Sequence, residues 1–336
     1  MTRLTPGMIY DVPNTLDLRD QELRQAIGLD LRGLAMRVFD VELDLSAFSA
    51  ICVPITSGQG VTKGFSDSVC AIARHIGLDC HVESNTDVTG ICDAIGSGVD
   101  IIFMADDNNF VALNTRERKI VNNVHATALG YCTALEVALG GLESKDVLVI
   151  GAGRLGWYSI ELLQARGANV TVVESNIKRA EEAQNHFGVV IKGMEDGVRS
   201  SYAILNVSPS FIPGEFINEG SIVSSPGMPY SFDPLGENRI RTLIHDPLQI
   251  GVSTMAVWSA AYTSIPGMDR YLNEPCMADL VDGSDLSHRT FTTCIGTSYL
   301  SETKVRTKYD GRKPVTVNAI PVDMGRGPDN SIRSIF

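Results

Sequence analysis

No stretch of this sequence approaches the ~18 consecutive apolar residues that a bilayer-spanning helix needs. Its first residues, MTRLTPGMIYDVP, also lack the basic-then-apolar order of a secretory leader, so a soluble, cytoplasmic protein is expected. Positive charge is short as well. There are 28 lysines and arginines against 40 aspartates and glutamates, a net charge of −12, and nucleic-acid binding needs a basic face that such a chain does not offer. The seven cysteines, Cys52, Cys70, Cys80, Cys92, Cys132, Cys276 and Cys294, are odd in number, scattered and without a CxxC pair. That spacing supports neither a zinc site nor a disulfide framework, and it reads as buried or free thiols in a reducing compartment.

What the chain does have is length and apolar content for two domains: 336 residues, 44% of them hydrophobic. It is organised around 145–175, KDVLVIGAGRLGWYSIELLQARGANVTVVES. Asp146 to Ile150 has the short β-branched run of a strand buried on both faces, leading straight into Gly151-Ala152-Gly153-Arg154-Leu155-Gly156. Leu155, Ile160, Leu162 and Leu163 then give 154–166 the apolar face of a helix, and Asn169 to Val173 is a second strand ending at Glu174. In such a βαβ unit Gly151 permits the tight turn, Gly153 lets a pyrophosphate approach the backbone, and Gly156 lets helix and sheet pack closely. The pyrophosphate would rest on the helix N-terminus, beside Arg154 and Leu155. Glu174, 23 residues beyond Gly151, stands where a carboxylate accepts the adenosine ribose hydroxyls and repels a 2′-phosphate, so NAD is expected over NADP. Lys178 and Arg179 weigh the other way, but they fall in a helical pattern that reads as a solvated face.

Upstream, 1–45 is expected to be helical, with two amphipathic stretches broken at Gly28. Strand patterns at 50–55, 80–83 and 100–105 alternate with helices at 65–76 and 88–95, implying a small parallel sheet of its own. Lys119 to Leu139 carries Asn122, Asn123 and His125 into an Ala- and Leu-rich bridging helix. Downstream of the fingerprint a helix is expected over 178–186, strands over 202–207, 221–225 and 241–245, and a closing helix over 252–261. Ligands of doubly wound sheets bind beyond the carboxyl ends of the strands, so Ser208, Pro209 and Pro226 point at the nicotinamide half of the cofactor, although ordinary turn chemistry also suits these residues. The expected architecture is therefore α/β: an N-terminal helical segment with a small parallel-sheet domain (1–140), a Rossmann dinucleotide-binding domain (141–262), and an irregular C-terminal extension (263–336).

Dinucleotide binding does not name a substrate. In the first domain, Asp106-Asp107 follows a strand, where a carboxylate facing the nicotinamide can hold a substrate ammonium and accept its proton, a role that burial would favour by raising its pKa. Two aspartates after a strand also suit a plain turn or helix cap.

Several blocks resemble one family. Leu4-Thr5-Pro6, Gly28-Leu29-Asp30, 53–60 (VPITSGQG), Gly64-Phe65-Ser66, 104–108 (MADDN), 119–123 (KIVNN), 144–153 and Ser225-Pro226-Gly227 occur together and in order, as in the pyrrolysine-synthesising dehydrogenases (PylD). The resemblance implies an NAD-dependent dehydrogenase that oxidises the terminal amine carbon in lysine-Nε-3-methyl-D-ornithine. Ammonia loss and ring closure then give the pyrroline ring of pyrrolysine. It implies that Asp106 engages the reacting amine, that Ser57, Phe65 and Asn123 line the substrate pocket, that Leu4 belongs to a helix closing over it, and that the fingerprint glycines and Glu174 hold NAD. It also makes a homodimer plausible. Val124-His125-Ala126-Thr127 departs from the family pattern, and His125 reads either as a local proton carrier or as a histidine packed at a domain hinge. Two other readings stay open: an amino-acid or opine-type NAD dehydrogenase on another amine, and a non-catalytic NAD-sensing protein.

Overall fold

The computed structural model describes residues 4–268 together with 307–310 and 313–316. The chain divides into two compact units, residues 1–287 and 288–336.

The first unit opens on helices whose ends are written in the sequence. Pro6 starts α1 (Pro6–Ile9), where its missing N–H leaves no bond unmade. Gly28, at φ 76, stops α2 (Leu16–Ile27). The Asp30 carboxylate then accepts from Gly33 N at 2.7 Å to cap α3 (Leu31–Phe39).

The first sheet alternates β1 (Ser49–Pro54), α4 (Phe65–His75), β2 (Asp79–Val82), α5 (Asp87–Gly96) and β3 (Ile101–Ala105), with β1 pairing parallel to both β2 and β3. Two strands that periodicity did not announce extend it. The chain turns tightly at 106–109 into β4 (Phe110–Asn114) and continues as β5 (Lys119–Asn122), both antiparallel, giving the order β2-β1-β3-β4-β5. The polar DDNN run is thus a hairpin turn. The start of the bridging segment is a strand, and the helix proper, α6 (Asn123–Leu139), begins at Asn123 with Asn122 as its cap.

From α6 the chain enters a doubly wound parallel sheet. Its parts are β6 (Asp146–Ile150), α7 (Arg154–Ala165), β7 (Asn169–Val173), α8 (Ile177–Phe187), β8 (Val190–Ile191), α9 (Met194–Arg199), β9 (Ala203–Asn206), β10 (Ser221–Ser224), α10 (Pro234–Arg239) and β11 (Ile240–Ile244). The strand order is β11-β10-β9-β6-β7-β8. This is the dinucleotide-binding order, and its reversal beside β6 opens a crevice above the strand ends.

The last long helix, α11 (Gln249–Ser264), turns back from the second sheet to pack on α6, α3, α4 and β4. Trp258 of α11 is fully buried and meets Phe39 of α3 with ring centroids 5.5 Å apart. The α6–α11 seam is closed by a small residue: a Cβ on Gly130 would stand 2.6 Å from Ile250 Cγ2 and 2.8 Å from Thr254 Oγ1.

Of the stretch expected to be irregular, 263–336, α11 runs to Ser264, Met268 is buried, and β12 (Thr307–Asp310) pairs antiparallel with β13 (Lys313–Thr316) in the second unit. Apart from 265–267, the rest lies outside the described residues, as do Cys276 and Cys294. Cys52, Cys70, Cys80 and Cys132 are buried free thiols and Cys92 is exposed. No helix among the described residues is long and apolar enough to cross a membrane.

Because the α6–α11 seam has no room for even one extra carbon at Gly130, Gly130→Val is expected to destabilise the fold by about 2 kcal/mol or more. Urea unfolding checks this, and a midpoint equal to that of the wild type would contradict the seam's tightness.

Candidate active site

A cavity of about 600 Å³ lies where the carboxyl ends of both sheets meet. The loops after β1 and β3 form one wall, and the loops after β6, β9, β10 and β11 form the other. This convergence follows from topology: in each parallel region the chain leaves the strands on the side where ligands bind.

On the first wall, Asp106 is exposed to the cavity, not buried. Its Oδ1 accepts from Asn108 N at 2.8 Å and Asn109 N at 2.7 Å, and its own N–H donates to Asn109 O at 2.9 Å. The sequence offered two readings of this carboxylate, turn former and ligand group. The geometry gives it the first through Oδ1, while Oδ2 has no partner among the described residues. Asp107 serves the neighbouring loop: its Oδ2 accepts from Gln59 N at 2.8 Å. Asp87 holds the loop's other end, accepting from Thr56 N at 2.7 Å and Thr56 Oγ1 at 2.6 Å. Leu4, Phe65 and Asn123 line the cavity, whereas Ser57 sits exposed in the clasped loop outside its wall. Phe65 meets Phe110 edge to face, centroids 5.1 Å apart. Asn123 is buried, and its Oδ1 has no hydrogen-bond partner among the described residues, an acceptor left for a donor from outside.

On the second wall, Gly151 has φ 104, which only glycine adopts without strain. A Cβ on Gly156 would collide with Gly151 O, so close packing of α7 on β6 requires glycine there. A Cβ on Gly153 would meet nothing within 4 Å, which leaves open space in front of the α7 N-terminus. Gly153, Arg154, Leu155, Ser208, Pro209 and Pro226 line the cavity; Gly151, Gly156 and Glu174 are not among its lining residues. Glu174 ends β7 as expected, but its carboxylate is turned into the fingerprint loop, accepting from Ala152 N at 2.7 Å and Asn176 N at 2.8 Å. Arg179, read from the sequence as a solvated position, is exposed and also lines the cavity.

The pyrrolysine biosynthesis protein PylD N-terminal domain family matches residues 8–121, and the TrkA-N domain family matches residues 147–196. Pyrrolysine synthase of Methanosarcina acetivorans is 31% identical over 263 residues, 76% of this chain and 98% of that protein. The Methanosarcina barkeri pyrrolysine synthase is 30% identical over 258 residues, 76% of this chain and 97% of that protein. The chain belongs to the PylD family. Solved structures resemble it more distantly. Shikimate dehydrogenase of Aquifex aeolicus has TM-score 0.43 at 13% identity, covering 67% of this chain and 97% of that one. The Campylobacter jejuni FolD methylenetetrahydrofolate dehydrogenase/cyclohydrolase has TM-score 0.46 at 14% identity, covering 77% and 99%.

The PylD-family chain adds cavity residues that its sequence did not announce. Tyr131, Asp246 and Gly251 all line the wall. Asp246 is buried, and its Oδ1 accepts from Leu248 N at 3.0 Å and Ile250 N at 3.2 Å, capping α11. Gly251 lets that helix approach Asn123, since a Cβ there would lie 3.0 Å from Asn123 Oδ1. An aspartate between a strand and a helix was the available signal for the cap; the contact across more than 100 residues had none. No group of three or more His, Cys, Asp or Glu among the described residues could hold a metal ion.

His125 is not in the cavity wall. Its ring meets Tyr158 of α7 edge to face at 3.9 Å, where burial first, and then the charge of Arg154, lower its pKa to about 4. Burial likewise lowers that of His245, whose Nδ1 lies 2.6 Å from Ser225 O. A histidine with a lowered folded-state pKa is protonated first in the unfolded chain, so stability falls as pH drops from about 6.5 towards 4. His125→Gln is expected to remove on the order of 2 kcal/mol of the stability lost between about pH 7 and pH 5. Urea midpoints at the two pH values test this, and an unchanged pH dependence in the variant would refute it.

Proposed function

We propose that this chain is the NAD-dependent dehydrogenase of pyrrolysine biosynthesis, acting on the terminal amine carbon of the ornithine part of lysine-Nε-3-methyl-D-ornithine. Residues 1–140 bind the substrate and 141–262 the dinucleotide. The observation that carries this reading is a single cavity lined both by Asp106, whose Oδ2 has no partner among the described residues, and by Gly153 and Arg154 of the glycine loop that opens α7. The residues present fit a dinucleotide: a positive-φ glycine, open space at Gly153, and a helix N-terminus directed at it. Glu174 keeps both oxygens on backbone N–H groups of Ala152 and Asn176, so its part is its negative charge beside the fingerprint loop, which favours NAD over a cofactor carrying a 2′-phosphate.

Each residue has a task that follows from its chemistry. Asp106 Oδ2 holds the substrate ammonium and takes the proton that the nitrogen must lose before its carbon can give up a hydride. Bound NAD supplies the acceptor for that hydride. Asn123 Oδ1 accepts an N–H of the substrate, and Phe65, Phe110 and Leu4 cover its apolar part. Asp106 is exposed here, so filling the cavity with substrate and dinucleotide is what removes water from its carboxylate and strengthens its grip on the ammonium. Water then adds to the oxidised carbon, leaving an aldehyde and releasing the nitrogen as ammonia. The aldehyde left behind condenses with the remaining amine of the same ornithine part, losing water; this step is intramolecular and needs little from the protein.

Reduced-nicotinamide absorbance should rise with NAD and the lysine-linked substrate, and not with free lysine or ornithine, with pyrrolysine found by mass. Signal from the free amino acids would point instead to a general amino-acid dehydrogenase, and NAD binding without turnover to a sensing protein. Asp106→Ala should lose roughly tenfold or more in kcat/KM with the fold intact; wild-type activity in that variant would remove Asp106 from the mechanism. Glu174→Ala should weaken NAD more than NADP, and equal losses would contradict its ribose role.

A further inference from the structure

Arg154, the first residue of α7, reaches across the cleft. Its Nη1 donates to Asn108 O at 3.3 Å, in the turn that carries Asp106, while its Nε is buried with no partner among the described residues. The carbonyl of Asn108 and the N–H of Asn109 belong to one peptide unit, and that N–H donates to Asp106 Oδ1 at 2.7 Å. Charge drawn towards the carbonyl oxygen by a guanidinium makes the N–H of the same amide a stronger donor. The arginine therefore acts on the carboxylate through a single peptide group.

We propose that Arg154 is a positioning residue that conveys dinucleotide occupancy to Asp106. The proposal rests on the dinucleotide reading above. A guanidinium carries five donors in a rigid fork, so one bond to Asn108 leaves others for a pyrophosphate oxygen at the α7 N-terminus. An anion there engages the remaining guanidinium N–H donors and holds the side chain in one rotamer, which fixes the contact to Asn108. The turn at 106–109 then stiffens, and Asp106 Oδ2 is presented in one orientation. Linkage makes the effect reciprocal: cofactor tightens the amine substrate, and substrate tightens the cofactor by the same factor.

The test is amide hydrogen exchange on the full-length protein, with and without saturating NADH, whose binding is measured separately by calorimetry. In wild type, exchange at Asn108 and Asn109 should slow by roughly fivefold or more on adding NADH. Arg154→Lys should still bind NADH but lose that protection, because a single ammonium cannot hold a phosphate and a carbonyl in the same fork geometry. Calorimetry with the lysine-linked substrate should show it binding about fivefold or more tighter with NADH than without in wild type, and a ratio near one in Arg154→Lys. NADH binding with unaltered exchange at 108–109, or full protection in Arg154→Lys, would overturn the role of Arg154 alone. Failure of wild type to bind NADH would overturn the dinucleotide reading and this proposal together.

Discussion

The hydroxyl of Tyr131 donates to Asp246 O at 2.9 Å and accepts from Asp246 N at 3.0 Å, in a place where both residues are almost fully buried. Three structures meet at that pair. Tyr131 lies on α6, and its own carbonyl accepts from Ser224 Oγ of β10 at 2.9 Å. Asp246 leaves β11, and its carboxylate caps the helix that returns to the first sheet. The route by which the chain passes from one sheet to the other and comes back is thus tied at one phenol. Without that hydroxyl, a buried N–H and a buried C=O would each go unpaired, at a cost of about 1–3 kcal/mol apiece. The cavity between the strand ends depends on this tie, because both residues are part of its wall.

The cavity is polar in a directed sense. In a chain of net charge −12, Arg154 and Arg179 line the cavity on the side of the glycine loop, while Asp106 and Asp107 stand at the turn opposite. A molecule bearing phosphates on one side and an ammonium meeting it from the other matches that arrangement. The fixed dipoles agree with the charges: α7 presents its N-terminus, and the Asp106 turn spends one carboxylate oxygen on its own backbone, the other having no partner among the described residues.

The local parts of this arrangement were legible in the sequence. Gly151, Gly153 and Gly156 sit in a strand-turn-helix unit whose glycines answer to backbone conformation and close packing, both of which are local requirements. Asp106 was legible as a carboxylate after a strand, but its turn was not recognised as a hairpin, because 110–114 and 119–122 are too short to show a period. Glu174 was correctly set at a strand end, yet the direction of its carboxylate is decided by Ala152 N, a partner 22 residues away. Arg179 looked like a solvated position because its helix has a polar face; that a cavity opens beside that face is a property of the assembled fold. The places of Tyr131, Asp246 and Gly251 in the cavity wall were invisible for the same reason.

The return of α11 has a consequence for how the protein is made. The strands β1 to β5 are complete once residue 122 has been synthesised, but the helical layer beside them lacks Trp258 and its neighbours until residue 264 has left the ribosome. The nascent first sheet must wait, with apolar surface uncovered, while the whole parallel sheet is being translated. Contacts so distant in sequence make for slow closure, and the interval is when the chain is most open to aggregation or to a chaperone.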